Sequence, residues 1–361
     1  TSKPAFRLND FLSCTMSRAL DSETVASLKT SNLLTVYNDI ASALSTKSSK
    51  LLEIEFLPKS HPLPDGCNVL IEGNSIAVTK VKLVQAFIVA RQVFLKHMKV
   101  CDQEKEKELR DATAVMLLLD PEYLTAANTR KRLILRYESG SRSEFEEFLK
   151  DELRFVDGYL TSRLHRHTKS PTVWSHRRWI LEKLKDLNME HDILEDLGSV
   201  VLIAAERHPR NYYAWSHMRW LVQVFHNSRT RTADDAKSQS DYLKLTSVVK
   251  DWCLKNPSDI SGFAFLLFCL FNLGPSSTAA RTERCSGICG DVLRLAVSFK
   301  WTYESVWVFL RTVVASNICT EQTRIEFHQA IETISTARPD GRPVLEAAKE
   351  WHQRNQKDLG R

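Results

Sequence analysis

A chain of 361 residues that is 43% apolar and 26% charged has the composition of an ordinary globular protein, with enough apolar side chains for a sizeable core. Its formal net charge is +6, from 50 basic and 44 acidic residues, and no long basic run appears. That mild excess points to a basic face for an acidic ligand or partner and away from a nucleic-acid-binding protein.

The chain starts Thr-Ser-Lys-Pro-Ala-Phe-Arg-Leu, without the basic-then-apolar pattern of a leader. No run reaches the ~18 apolar residues of a membrane span, and the end, Asp-Leu-Gly-Arg, carries no prenylation box. A cytoplasmic protein without a membrane span, and not itself an obvious prenylation substrate, is the expectation. Residues 5–50 show interrupted helical periodicity. Residues 51–80 set short β-branched runs between Pro and Gly, which predicts a loop or small hairpin. Residues 1–80 are thus expected to form an N-terminal arm. Residues 81–100 predict a helix, half of a first hairpin without a motif, and residues 111–119 lead into a repeat array.

That array is the strongest signal. Residues 170–184 read S-P-T-V-W-S-H-R-R-W-I-L-E-K-L and residues 211–222 read N-Y-Y-A-W-S-H-M-R-W-L-V. Setting Trp174 on Trp215 aligns Ser175 with Ser216, His176 with His217, Arg178 with Arg219 and Trp179 with Trp220. Three weaker copies place Ala127, Phe263 and Trp307 in the same slot, at spacings of 47, 41, 48 and 44 residues. A Pro stands six positions before the slot in three copies (Pro121, Pro209, Pro257), and a basic residue four after it in four (Lys131, Arg178, Arg219, Arg311). Pro and short polar residues start helices, and apolar residues such as Ile180, Leu181 and Leu184 then fall on one face. A period in the forties is one helical hairpin, and hairpins that cannot bury their stripes alone must stack. The expected fold is all-α: a right-handed superhelix (solenoid) of antiparallel hairpins over 81–335, closed by a capping helix within 336–361. The slot residues Trp174, Trp215, Phe263 and Trp307 should be core. Arg178, Arg219 and Arg311, one turn past the slot, should stack on aromatic rings or bond neighbouring helix ends, and Arg177 is a further structural residue of the motif. Polar segments 226–241 and 274–287 are expected as surface loops.

The eight cysteines, at 14, 67, 101, 253, 269, 285, 289 and 319, form no CxxC pair and read as free thiols. Cys285 and Cys289 have helical spacing but no His beside them to complete a metal site, and His165 and His167 read as surface histidines. No metal ligand set is expected on this chain. Motifs of nucleophilic, phosphate-loop, dinucleotide or zinc-protease chemistry are missing, which favours a binding scaffold.

The repeats resemble the alpha-subunit repeat of protein prenyltransferases, a pattern of Asn-Tyr-x-x-Trp-x-x-Arg-Arg/Lys. The copy at 211–220 lacks only the first Arg, where Met218 stands. The copy at 170–179 lacks the Asn-Tyr but keeps Trp174, Arg177 and Arg178. The resemblance covers about residues 111–312. It implies the helical alpha subunit of a heterodimeric protein prenyltransferase of the geranylgeranyl type, inactive alone. It implies a beta-subunit partner of the Rab geranylgeranyltransferase type that carries the catalytic zinc, an isoprenoid diphosphate at the interface, and a protein substrate. By match to the family's motif copies, Lys169 and Tyr212 would act in catalysis, and Lys169, Arg210 and Asn211 would bind diphosphate. The chemistry suits these types, because negative charge grows on the leaving group and cations, a phenol and helix N-termini stabilise it. Pro171 and Tyr213 depart from residues usual at those family positions. The alternative class is a non-catalytic helical-repeat interaction scaffold.

Overall fold

A computed structural model of the chain describes residues 32–46, 50–58, 60–61, 63–98, 105–226, 235–272, 278–316 and 318–355. Most of these are helical. The chain divides into two compact units, Thr1–Leu184 and Lys185–Arg361. The division falls within the expected array rather than at residue 80 or 335. Cys14, Cys101 and most of the periodicity of residues 5–50 lie outside the described residues.

The first unit opens with α1 (Leu33–Leu44), which starts where the Asn32 side chain accepts the Thr35 N–H. Its buried face, with Val36, Ile40 and Leu44, packs on α2 (Lys80–His97) and α3 (Glu106–Leu119). Between α1 and α2 lies a three-stranded sheet of β1 (Glu53–Leu57), β2 (Leu70–Glu72) and β3 (Ser75–Thr79), in the order β1-β3-β2. The hairpin expected within 51–80 is β2–β3, turned at Gly73-Asn74 with Gly73 at φ 60°, a backbone region that glycine enters without a Cβ clash. The sequence did not show the third strand, β1, which runs parallel to β3 with Ile54 beside Ile76. The Thr79 hydroxyl ends β3 and caps α2 by accepting the Lys82 N–H, so strand passes directly into helix. α2 and α3 pack as the first, motif-less hairpin. α4 (Leu124–Leu135), α5 (Arg142–Leu160) and α6 (Pro171–Asp186) follow, α5 packing on both α4 and β1.

The second unit begins with α7, a continuous helical stretch of Ile193–Asp196, a π turn at Leu197–Val201 and Leu202–Arg207. Then come α8 (Tyr212–Leu221), α9 (Asp235–Lys255), α10 (Ile260–Phe271), α11 (Thr278–Phe299), α12 (Glu304–Ala315), α13 (Glu321–Ala337) and α14 (Arg342–Asn355). Neighbouring motif helices pack on one another, α8 on α10 and α10 on α12, with α9 against α10 and α11 against both α12 and α13. The last helix, α14, covers α12 and α13 after a 3₁₀ turn at Pro339–Gly341. That turn comes so close to Thr302 that a Cβ on Gly341 would lie 2.0 Å from its Cγ2.

The expected loops 226–241 and 274–287 are a partial correction. Residues 227–234 and 273–277 lie outside the described residues, but α9 already begins at Asp235 and α11 at Thr278. The apolar period that marks a helix in sequence is weak in these polar segments, so they read as loops. In α11 one of them is also anchored: Arg281 donates to the carbonyls of Leu270 and Phe271, the free C-terminal end of α10. None of the described helices is long and apolar enough to cross a membrane.

Each motif slot is core. Ala127 on α4, Trp174 on α6, Trp215 on α8, Phe263 on α10 and Trp307 on α12 are all at most 4% exposed. The Trp215 ring is held between Trp252 (5.0 Å between centroids) and Phe265 (5.3 Å). Trp215→Ala is therefore expected to destabilise the protein by ~3–5 kcal/mol, the range for large aromatic truncations in cores. A urea unfolding midpoint indistinguishable from that of the parent would show that the slot is not core.

Candidate functional site

The residues singled out for chemistry stand at the starts of motif helices, and the local structure explains why. At α6 the Ser170 hydroxyl accepts the Val173 N–H and also donates to the Pro121 carbonyl at the head of the preceding repeat. The Trp174 indole N–H closes the joint by donating to the Thr168 carbonyl at 2.9 Å. Trp307 makes the same bond six residues back, to Trp301, at 2.8 Å. These two buried bonds fold the turn against the helix it precedes, leaving Lys169 exposed on the rim.

At α8 the cap is Asn211. Its Oδ1 accepts the Ala214 N–H, its Nδ2 donates to the Ala204 carbonyl, and it is fully buried. Its amide thus joins the start of α8 to the end of α7. Arg210 sits in the left-handed region at φ 61°, its N–H donating to Asp259 Oδ2 and its Nε to the Ser258 carbonyl. The other oxygen of Asp259 caps α10 through the Gly262 N–H. Tyr212, one residue into α8, is 65% exposed with its ring edge-on to Tyr213. Lys169 belongs to the first unit, and Arg210, Asn211 and Tyr212 come together in the second.

The basic residue four past the slot does stack. Lys131 lies over Trp179 at 5.5 Å, Arg219 over Phe268 at 5.0 Å and Arg311 over Trp351 at 5.0 Å. The first two acceptor rings stand five past the slot of the following copy, so the signal was in the register that aligned Trp179 with Trp220. Arg178 is half-buried on α6.

Sequence reasoning missed a buried charge network on α5. Arg130 of α4 makes a bidentate pair with Glu152, both bonds at 2.7 Å, and donates to the Arg110 carbonyl and the Thr113 hydroxyl. Its guanidinium also lies 3.7 Å over the Phe155 ring. One turn and a half further along α5, Asp157 accepts the Arg177 Nε at 2.6 Å, and Arg177 is fully buried. α5 thus ties α4 and α6 together through two carboxylates. Burial opposes the charge on Glu152, but the surrounding cations, Arg130 foremost, together outweigh it and hold the carboxyl below its ordinary pKa. His176 Nε2 lies 3.2 Å from Glu152 Oε1 but off the hydrogen-bonding direction. Burial pushes this histidine down to about 4, against the pull of Glu152, so it is neutral at pH 7.

His167, expected at the surface beside His165, is buried instead and joined through Nε2 to the Leu117 carbonyl at 3.0 Å. The end of α3 needs a donor there, and burial lowers the histidine to about 4. Six cysteines fall among the described residues, all free: Cys67 is exposed, the other five buried. Burial raises the thiols of Cys269 to about 12 and Cys285 to about 11, which makes them poor nucleophiles. Among the described residues no group of three His, Cys, Asp or Glu side chains is gathered to hold a metal ion.

These features define a helical-repeat protein whose motif helices α6 and α8 begin at buried, hydrogen-bonded caps, with Lys169 and Tyr212 exposed beside them. The comparisons agree with that class. A family profile, the ECM9 middle domain, matches residues 152–287. Over 77 residues the chain is 39% identical to the human protein prenyltransferase alpha subunit repeat-containing protein 1, covering 21% of this chain and 16% of that one. Over 153 residues it is 29% identical to the Danio rerio protein of the same name, covering 42% and 32%. Over 80 residues it is 29% identical to the geranylgeranyl transferase type-2 subunit alpha of Dictyostelium discoideum, covering 22% and 24%. The resemblance to prenyltransferase alpha-subunit repeat proteins is thus found in the comparisons, and the chain spans at most 32% of these relatives' own lengths.

Two tests follow from the buried groups. Glu152→Ala leaves Arg130 buried without its carboxylate and should destabilise by ~3–5 kcal/mol in urea unfolding, while Arg130→Met combined with Glu152→Leu should recover most of that loss. Separately, His167 and His176 titrate near 6.5 when unfolded but near 4 when folded. Between those values the unfolded chain binds protons that the folded chain refuses, so stability should fall as pH drops from about 6.5 towards 4. His328 and His352, also lowered by burial, act in the same sense. The urea midpoint should be lower at pH 5 than at pH 7, and His176→Gln should shrink the difference; a midpoint that does not change with pH would contradict the assignment of neutral buried histidines.

Proposed function

We propose that this chain is the helical alpha-type subunit of a heterodimeric protein prenyltransferase of the geranylgeranyl class, working in the cytoplasm and inactive alone. In this reading its hairpins continue as a right-handed superhelical solenoid. They support a beta-type partner of the Rab geranylgeranyltransferase kind that holds the zinc and the isoprenoid pocket and receives the protein substrate. The observation that carries the reading is the motif at 211–219, Asn-Tyr-x-x-Trp-x-x-x-Arg, built as a capped helix start with Asn211 inside and Tyr212 outside. The names of the similar proteins support it.

The chemistry asked of this chain is stabilisation of a departing diphosphate. Lys169 is an exposed cation one residue before the Ser170 cap of α6. Tyr212 holds a phenol in solvent at the first turn of α8. Arg210 adds positive charge beside it, its orientation fixed by its bonds to Ser258 and Asp259. Asn211 contributes through the cap, which orders the α8 N-terminus and its positive dipole end. Charge on the leaving group is greatest in the transition state, so these groups should affect the rate more than assembly.

The test is co-expression with a beta-type subunit, followed by size-exclusion chromatography and single-turnover transfer from geranylgeranyl diphosphate. A stable complex should form. Lys169→Ala should leave assembly intact and slow transfer on the order of 10²-fold, as loss of one donor to a developing anion does. Unchanged turnover would remove Lys169 from the diphosphate. Failure to assemble would leave the chain a non-catalytic interaction scaffold.

A further inference from the structure

The first unit holds a cleft of about 550 Å³, a volume in the range of small-ligand pockets, between the end of α1, the start of β1, α3 and α5. One wall is apolar, with Leu52, Ile54, Ala114, Phe148, Phe155 and Tyr159. Two aromatic pairs stiffen it, Tyr137 with Phe148 (4.0 Å between centroids) and Phe155 with Tyr159 (4.6 Å). Five cationic and three acidic side chains also line the cleft, and their partners decide what it can bind. The three acids are already engaged. Glu106 accepts the Tyr137 hydroxyl, Asp111 accepts Ser45 and Lys107, and Asp151 accepts Arg154.

Arg110 is engaged only loosely. Its guanidinium is about a quarter exposed, and its ion pair with Glu106 is long, 4.0 Å, beyond hydrogen-bonding distance. It is nonetheless held in place. The guanidinium lies 5.0 Å over the Phe148 ring, and the residue's own carbonyl is fixed by Arg130 of the buried network. The neighbouring wall is pinned in the same way, because the Tyr159 hydroxyl donates to the Ala114 carbonyl at 2.7 Å. A positioned guanidinium with only a long ion pair, beside the apolar side chains of a cleft, suits one carboxylate or phosphate carried on an apolar body.

We propose that this cleft binds a small amphipathic anion, with its charged group on Arg110 and its apolar part against Phe148, Phe155 and Tyr159. The site is independent of the diphosphate contacts ascribed above to Lys169 and Tyr212, and it needs no partner chain.

The test uses the purified full chain and two fluorescent naphthalene probes of similar size, anionic 1-anilinonaphthalene-8-sulfonate and neutral N-phenyl-1-naphthylamine. The anionic probe should saturate at one molecule per chain. Arg110→Glu should weaken it at least about tenfold, the loss expected for one charge-assisted hydrogen-bond partner, and leave the neutral probe within about twofold. Retention of the neutral probe also shows that the variant has folded. Dodecyl phosphate should displace the anionic probe, and inorganic phosphate at the same concentration should not. Equal binding of the anionic probe by parent and variant would overturn the site, and equal displacement by inorganic phosphate would overturn the amphipathic ligand class.

Discussion

The structure depends on how each motif helix is joined to the turn before it. In two repeats the joint is one buried hydrogen bond, from the slot indole to the carbonyl six residues earlier. The bond reaches backwards past the cap, so it fixes both the start of the helix and the direction from which the chain enters. Other repeats meet the same need by other means. The Phe263 side chain has no N–H to give, and there the carboxylate of Asp259 ties Gly262 on one side and Arg210 on the other. Trp215 keeps its ring between Trp252 and Phe265, and its indole N–H finds no acceptor among the described residues. Once a helix start is fixed, the rest of the repeat follows by helical geometry. The slot points inward, and in three copies the basic residue one turn later lies over an aromatic ring of the following copy or of α14.

Charge has two different uses in this molecule. On α5 it is structural: Glu152 and Asp157 are buried, each satisfied by an arginine from a different motif helix. Such pairs add little net stability against apolar replacements of the same shape, but losing one partner strands the other's charge in the core. Elsewhere charge is exposed or only loosely paired, on Lys169 before α6 and on Arg110 beside the cleft. The two uses meet at Arg130, which anchors the network and also holds the Arg110 carbonyl.

The repeats were legible because the slot, the Pro before it and the basic residue after it recur at nearly fixed spacing. Burial of Trp174, Trp215, Phe263 and Trp307 followed from that register alone. The polar lead-ins of α9 and α11 were not legible as helix, because their residues carry little apolar period. The parallel strand β1 was hidden for a related reason: its partner β3 lies 22 residues on, beyond the hairpin that local turn chemistry reveals. Among the site candidates, Asn211 was correctly placed at a helix start, but the sequence could not show that both ends of its amide were taken.

By itself the sequence determined the helical class, the repeat and its register, and the identity of the core slots. All of these rest on local periodicity, which the order of residues states directly. Tertiary structure decided what each polar residue is for. Lys169 and Arg177 are both basic residues of one motif copy, yet one is exposed at the rim and the other is fully buried against Asp157. His165 and His167 are two positions apart, and only the second is buried on the Leu117 carbonyl. The reason is physical: a polar side chain takes its role from the partner opposite it, and that partner is supplied by another helix.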